Sequence, residues 1–162
     1  MRFNVSHLVK APIGVRDVMH LDVGPLTLGD DLLVHHLQGD IWLTRTTDGL
    51  LAEGRLDVSL DAECVRCLAL FPLPLKVILD DLTFALPQVS SEGDEFRISE
   101  NGQLDTMPAL REQILLSIPP YSQCRSDCLG LCSECGQDLN SAACDCEVGI
   151  IDPRLTALRD LL

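Results

Sequence analysis

Eight cysteines fall in two places along the 162 residues. Cys64 and Cys67 stand alone in ECVRCLAL. The other six, Cys124, Cys128, Cys132, Cys135, Cys144 and Cys146, crowd into CRSDCLGLCSECGQDLNSAACDC. Thiols at this density can hold a metal, cycle as a redox couple or pair as disulfides. A structural zinc takes four thiolates in a tetrahedron, and eight cysteines supply two such sets. In a Cys-x-x-Cys turn both sulfurs can reach one ion. Gly136, directly after Cys135, accepts the backbone conformation that aims an amide at sulfur.

Two closed zinc sites are therefore expected. Cys132, Cys135, Cys144 and Cys146 are local to one another and can close a compact site alone. Cys64 and Cys67 would join Cys124 and Cys128, tying the end of a sheet to the segment after a helix. Bridging the longer gap costs little more, because closure entropy grows only as the logarithm of loop length. Spacing leaves open the swapped arrangement, with Cys64 and Cys67 joined to Cys132 and Cys135. Each zinc with four thiolates carries a formal charge of −2, so two sites take the chain from −13 to about −17. Arg66 and Arg125 stand beside ligands and offset part of that charge.

The rival chemistries fit the spacing less well. A thioredoxin-type pair at Cys64 needs the first cysteine at a helix N-terminus, and Pro72 and Pro74 argue against a helix there. Cys128, Cys132 and Cys135 match the CxxxCxxC spacing of radical iron–sulfur enzymes, but only 27 residues follow where a barrel would be needed. A structural iron–sulfur cluster stays as the minor alternative to zinc. Disulfides fit an exported protein, and the start, MRFNVSHLVKAPIGVRD, lacks the apolar segment of a secretory signal. The cytoplasm is the expected compartment. No catalytic constellation stands out: His35 and His36 are adjacent on a strand and should face opposite ways, Asp80 and Asp81 read as a solvated strand end, and GxSxG and HExxH are absent. An enzyme is not expected.

Net charge narrows the partners. With 25 acidic against 12 basic residues, the global field repels a polyanion, and four Phe, one Trp and one Tyr make a poor base-stacking platform. A limited basic patch from Arg45, Arg55 and Arg66 is the candidate RNA contact. A basic protein partner suits the charge better.

The elements that must position the cysteines read as follows. The first forty residues suggest short strands and turns. DIWLTRTTDGLLAEGRLDVSLDAEC is a hairpin: Leu56, Val58, Leu60, Ala62 and Cys64 fall on one face, and Asp57, Ser59, Asp61 and Glu63 on the other. Another strand is predicted from about Leu75 to Leu86, then an acidic loop or linker. TMPALREQILLSIPP is a helix with Met107, Leu110, Ile114 and Ile118 on one stripe and Leu115 beside it, capped by Thr106 or Asp105 and stopped by Pro119 and Pro120. A short helix closes the chain, with Asp152 as N-cap, Pro153 at its first position and Leu155, Leu158 and Leu162 on one side. The fold class is α+β: an antiparallel β-sheet with one packed helix and a small cysteine-rich zinc module. Along the chain, 1–86 is a β-rich domain carrying the first CxxC, 87–105 the acidic loop or linker, and 106–162 the helix, zinc module and terminal helix.

The CxRCL at Cys64 to Leu68, the CxxDCxGLCxxCGxxLN at Cys124 to Asn140 and the DPRLxxL at Asp152 to Leu158 together resemble the YceD-like family of large ribosomal RNA subunit accumulation proteins. The resemblance covers roughly residues 40 to 162 and finds every cysteine of the fuller pattern in place. It implies a role in synthesis, processing or stability of large-subunit ribosomal RNA, without enzymatic activity. The maturing large ribosomal subunit or a basic ribosomal protein is then the expected partner. Two other readings differ in kind: a direct RNA-binding zinc protein, and a thiol-based redox or metal-handling protein.

Overall fold

The computed structural model describes residues 1–89 and 96–146. The elements run β1 (Arg2–Asn4), α1 (Ser6–Val9), β2 (Arg16–Val23), β3 (Leu26–Leu28), β4 (Leu32–Arg45), β5 (Gly49–Glu63), β6 (Leu70–Ala85), β7 (Gln103–Asp105) and α2 (Met107–Ser117). The fold is α+β, mostly antiparallel sheet. The expected terminal helix from Asp152 lies outside the described residues.

The chain packs as two compact units. Of the described residues, 1–62, 71–89 and 96–120 form the first, and 63–70 and 121–146 form the second. Packing thus cuts across the three consecutive segments read from the sequence. The helix near residue 110 joins the sheet unit, and the first CxxC joins the other cysteines. The expected loop or linker is also structured at its described end: Ile98 bridges Leu104, and β7 pairs antiparallel with β1.

In the first unit, strand order β2-β4-β5-β6 makes a sheet whose fifth strand, β3, also pairs with β4. Alternation dictates the two faces. Leu37, Ile41 and Leu43 of β4, Leu50, Ala52, Leu56, Val58 and Leu60 of β5, and Leu75, Val77 and Leu79 of β6 are buried in one cluster. Helix α2 covers that cluster with Ala109, Leu110 and Ile114. Leu115, predicted beside the stripe, is exposed instead, as is Leu116. Asp105 makes the helix-start bond, its Oδ1 accepting from the Met107 amide at 3.0 Å, while the Thr106 hydroxyl donates to the Met1 carbonyl. Gly39 of β4 allows a close strand approach: a Cβ there would stand 2.2 Å from the Arg55 carbonyl oxygen.

Strand β6 begins at Leu70, five residues before the predicted start, and includes Pro72 and Pro74. A proline cannot donate to a ladder, but β6 is the last strand of the order, where one edge needs no donor. Two doublets also depart from simple alternation. At Asp80 and Asp81 two successive residues are exposed within the strand, and Asp81 has φ +54°. This is a bulge inside β6, not a strand end, and Asp is one of the few side chains that tolerate that backbone. The β4–β5 register likewise shifts between Val34 and His36. His35 and His36 therefore do not alternate cleanly in and out. No helix among the described residues is long and apolar enough to cross a membrane.

Candidate metal centre

Two turns of the second unit share one hydrogen-bond pattern. In the first, the Leu68 amide donates to the Cys64 carbonyl at 2.9 Å, and the Cys64 amide to the Ala69 carbonyl at 2.9 Å. In the second, Gly136 donates to Cys132 at 3.0 Å, and Cys132 to Gln137 at 2.8 Å. Both turns place the residue after the second cysteine in the left-handed region: Leu68 at φ 59° and Gly136 at φ 73°. A glycine carries that conformation without strain; a leucine pays roughly 1–2 kcal/mol for it. The amide of Gly136 itself closes the turn on a carbonyl, and the amides aimed at Cys132 Sγ are those of Cys135 and of Glu134, the latter at 3.4 Å.

These turns gather all eight cysteines into two groups of four. Cys64, Cys67, Cys124 and Cys128 form one; Cys132, Cys135, Cys144 and Cys146 form the other, and within each group all sulfurs lie within 4.8 Å of one another. The swapped arrangement does not occur. In the first group Cys64 and Cys128 are 3.9 Å apart and Cys67 and Cys124 are 3.7 Å apart. A tetrahedron with metal–sulfur bonds of about 2.3 Å has sulfur edges of about 3.8 Å, which these two spacings match. None of the eight cysteines is in a disulfide.

The protons respond to this crowding. Amides of Cys124 and Cys67 point at Cys64 and hold its thiol down to about 6. Those of Cys135 and Glu134 do the same for Cys132, also to about 6. Their neighbours move the other way. Burial and then the Cys128 sulfur push Cys124 up to about 12, and hydrogen bonding with Cys135 pushes Cys146 up to about 12. Four thiols this close cannot all ionise alone; a dication is what allows them to do so. Each group therefore fits a metal both in geometry and in charge.

The two groups are enclosed to different degrees. Cys64 and Cys128 are buried in the first, whereas only Cys132 is buried in the second and Cys135 is exposed. Val65 donates to the Ser122 carbonyl at 3.0 Å, fastening the first turn to the segment that supplies Cys124 and Cys128.

The arginines read as an RNA patch are each held differently. Arg45 turns its guanidinium onto the carbonyls of Val9, Thr46 and Gly49, holding the β4–β5 turn. Arg55 is exposed in mid-β5 opposite Asp40, five register positions from Arg45. Arg66 belongs to the second unit, and its carbonyl accepts from Leu131 at 3.0 Å. The four histidines are each beside an aspartate: His7 with Asp17, His20 with Asp40, His35 with Asp61 and His36 with Asp22. His35 and His36 thus reach different strands and do not converge. Missed by sequence reasoning was Asn140, whose amide lies 3.5 Å from Cys128 Sγ; its place in the CGxxLN motif was the available signal.

Residues 52–162 match the family model described as Large ribosomal RNA subunit accumulation protein YceD. The chain belongs to the YceD family. Relatives of this YceD-family chain include an uncharacterized protein of Mycobacterium leprae, ML1660, 32% identical over 104 residues, which are 62% of this chain and 48% of that protein. Another is the uncharacterized protein Rv2926c of Mycobacterium tuberculosis, 27% identical over an alignment covering 100% of this chain and 81% of the relative. YlbN of Bacillus subtilis is 31% identical over 100 residues, 61% of this chain and 58% of that protein. The chain thus spans about half the length of the first of these relatives. No solved structure matches it significantly.

Proposed function

We propose that this YceD-family protein is a non-catalytic, cytoplasmic zinc-binding factor that supports the synthesis, processing or stability of large-subunit ribosomal RNA during ribosome biogenesis. The observation that carries the reading is the pair of four-cysteine groups in a chain of this family. Each group uses four thiolates, which leaves no open position for water or substrate and suits a structural ion rather than a catalytic one. Zinc is favoured over an iron–sulfur cluster because one ion spans sulfur edges near 3.8 Å, as in the first group.

The partner is a basic ribosomal protein on the maturing large subunit. A net charge of −13, made more negative by two four-thiolate ions, attracts a cationic protein and repels an RNA backbone. Arg45 is already engaged by backbone carbonyls, which weakens the direct RNA-binding alternative.

The test is a sucrose-gradient profile and large-subunit RNA quantification in cells depleted of the protein, complemented with wild type or with Cys64→Ser/Cys67→Ser. Loss of large-subunit RNA rescued only by wild type supports the reading. Unchanged RNA levels on depletion would sink it. Elemental analysis giving iron in place of two zinc per chain would overturn the metal.

A further inference from the structure

Asn140 lies in the loop between Cys135 and Cys144, yet its side chain reaches the other cysteine group. Oδ1 accepts from the Leu129 amide at 2.8 Å and from Arg125 Nη2 at 2.7 Å. Nδ2 donates to Asp138 Oδ1 at 2.7 Å and to Cys128 Sγ at 3.5 Å. Both donors and both acceptor positions of the amide are therefore in use. The orientation of the amide follows from its neighbours, since two donors face the oxygen and two acceptors face the nitrogen.

The contacts run from one group to the other. Arg125, Cys128 and Leu129 belong to the segment that supplies the first group, and Asp138 and Asn140 to the loop closed by the second. Two backbone bonds reinforce the link: Leu139 donates to the Gly130 carbonyl at 3.0 Å, and Leu131, next to Cys132, donates to the Arg66 carbonyl inside the first turn at 3.0 Å.

Resting on the reading of both groups as metal sites, we propose that Asn140 couples them, so that filling one raises the affinity of the other. A metal on Cys132, Cys135, Cys144 and Cys146 closes the loop that carries Asn140. The ordered amide then holds Leu129 and Arg125 in place and donates to Cys128 as a thiolate, the form a metal requires. Linkage makes the effect mutual: a metal in the first group fixes the surface on which Asn140 docks. Asn140 is a positioning residue; it touches a ligand and binds no metal itself. An aspartate in its place would keep the acceptor contacts but turn a second oxygen toward Cys128 and Asp138, where donors are needed.

The experiment titrates the reduced, metal-free full chain with zinc and counts chains carrying zero, one and two ions by native mass spectrometry. Alkylation mapping identifies which cysteines are protected. Independent, equal sites leave about half the chains singly loaded at half-saturation, whereas a coupling of about fivefold or more lowers that share to under about one third. Wild type should show the lower share. Asn140→Asp should restore singly loaded chains, and Asn140→Ala should do so as well if the aspartate variant does not fold. Ser141→Ala, which removes only a hydroxyl bond to the Asp138 carbonyl in the same loop, should match wild type. Two zinc bound independently by wild type, or an Asn140→Asp or Asn140→Ala distribution identical to wild type, would overturn the coupling while leaving the metal reading intact. No zinc uptake by wild type would remove both.

Discussion

The two four-cysteine groups have the same knuckle and different closures. The first draws Cys64 and Cys67 together with Cys124 and Cys128, across sequence separations of 57 and 64 residues, and buries two of its sulfurs. The second closes within Cys132 to Cys146 and leaves Cys135 exposed. One therefore acts as a staple between distant segments and the other as a local clasp. The difference teaches that a repeated motif need not mean a repeated role: what the ion ties together depends on where its second pair of ligands comes from.

The most drastic way to break the comparison is to remove a pair of ligands from one group at a time. In Cys64→Ser/Cys67→Ser, hydrogen exchange should rise at Val65 and Leu131, whose amides bond Ser122 and Arg66. In Cys144→Ser/Cys146→Ser the rise should centre on Cys132, Gly136 and Leu139. Equal exchange patterns in the two variants would show that staple and clasp are not distinct.

Next in size is a change in the sheet unit. Ile114→Ala on α2 removes a side chain that is fully buried, and should lower the stability of that unit by about 2–5 kcal/mol in a denaturant melt. Zinc per chain should stay at its wild-type value. A fall in zinc would mean that the metal sites depend on the sheet core.

A thiol-reactive probe in the presence of chelator sharpens the contrast in enclosure. Cys135 should be labelled at least about tenfold faster than Cys64 or Cys128, because attack needs an accessible thiolate. Labelling of Cys64 first would reverse the ranking.

Smaller still is the difference between the two left-handed turn positions. Leu68→Gly removes a strained backbone but adds freedom to the unfolded chain, for a net gain of up to about 1 kcal/mol. Gly136→Ala introduces that strain and should lose about 1 kcal/mol, although a Cβ there meets nothing within 4 Å. Destabilisation by Leu68→Gly would mean that its side chain contributes more than its backbone costs.

The smallest effect is electrostatic and belongs to the sheet unit. Hydrogen bonding and charge from Arg111 hold the Asp31 carboxyl below its ordinary value, and His7 with the Val18 amide do so for Asp17. A carboxyl lowered in the folded state adds stability that is complete above its unfolded value, near 4, and is lost as pH falls through the folded one. Asp31→Asn should therefore lower stability slightly at neutral pH, leave strongly acidic pH unchanged, and so flatten the acid side of the stability profile.

Much of this was legible residue by residue. Alternation from Leu56 to Cys64 named the buried face of β5, and Leu110 and Ile114 named the inner side of α2. Both readings rest on short-range periodicity, which a single segment carries. The doublets were harder. Two adjacent histidines and two adjacent aspartates suggested strict alternation and a strand end; both are departures from alternation, because a bulge sends two successive side chains outward. Pro72 and Pro74 shortened the predicted β6 because edge position, which makes them tolerable, depends on strand order and not on local sequence.

By itself the sequence determined that there are thiols enough for two sets of four, and that two CxxC turns are there to anchor them. Those are matters of composition and spacing, settled within a few residues. Tertiary structure decided which second pair joins which turn, that backbone carbonyls take up the Arg45 guanidinium, and that Asn140 stands between the groups. Sulfur positions after a fifty-residue excursion follow from how the intervening sheet and helix fold, and no local propensity contains that distance.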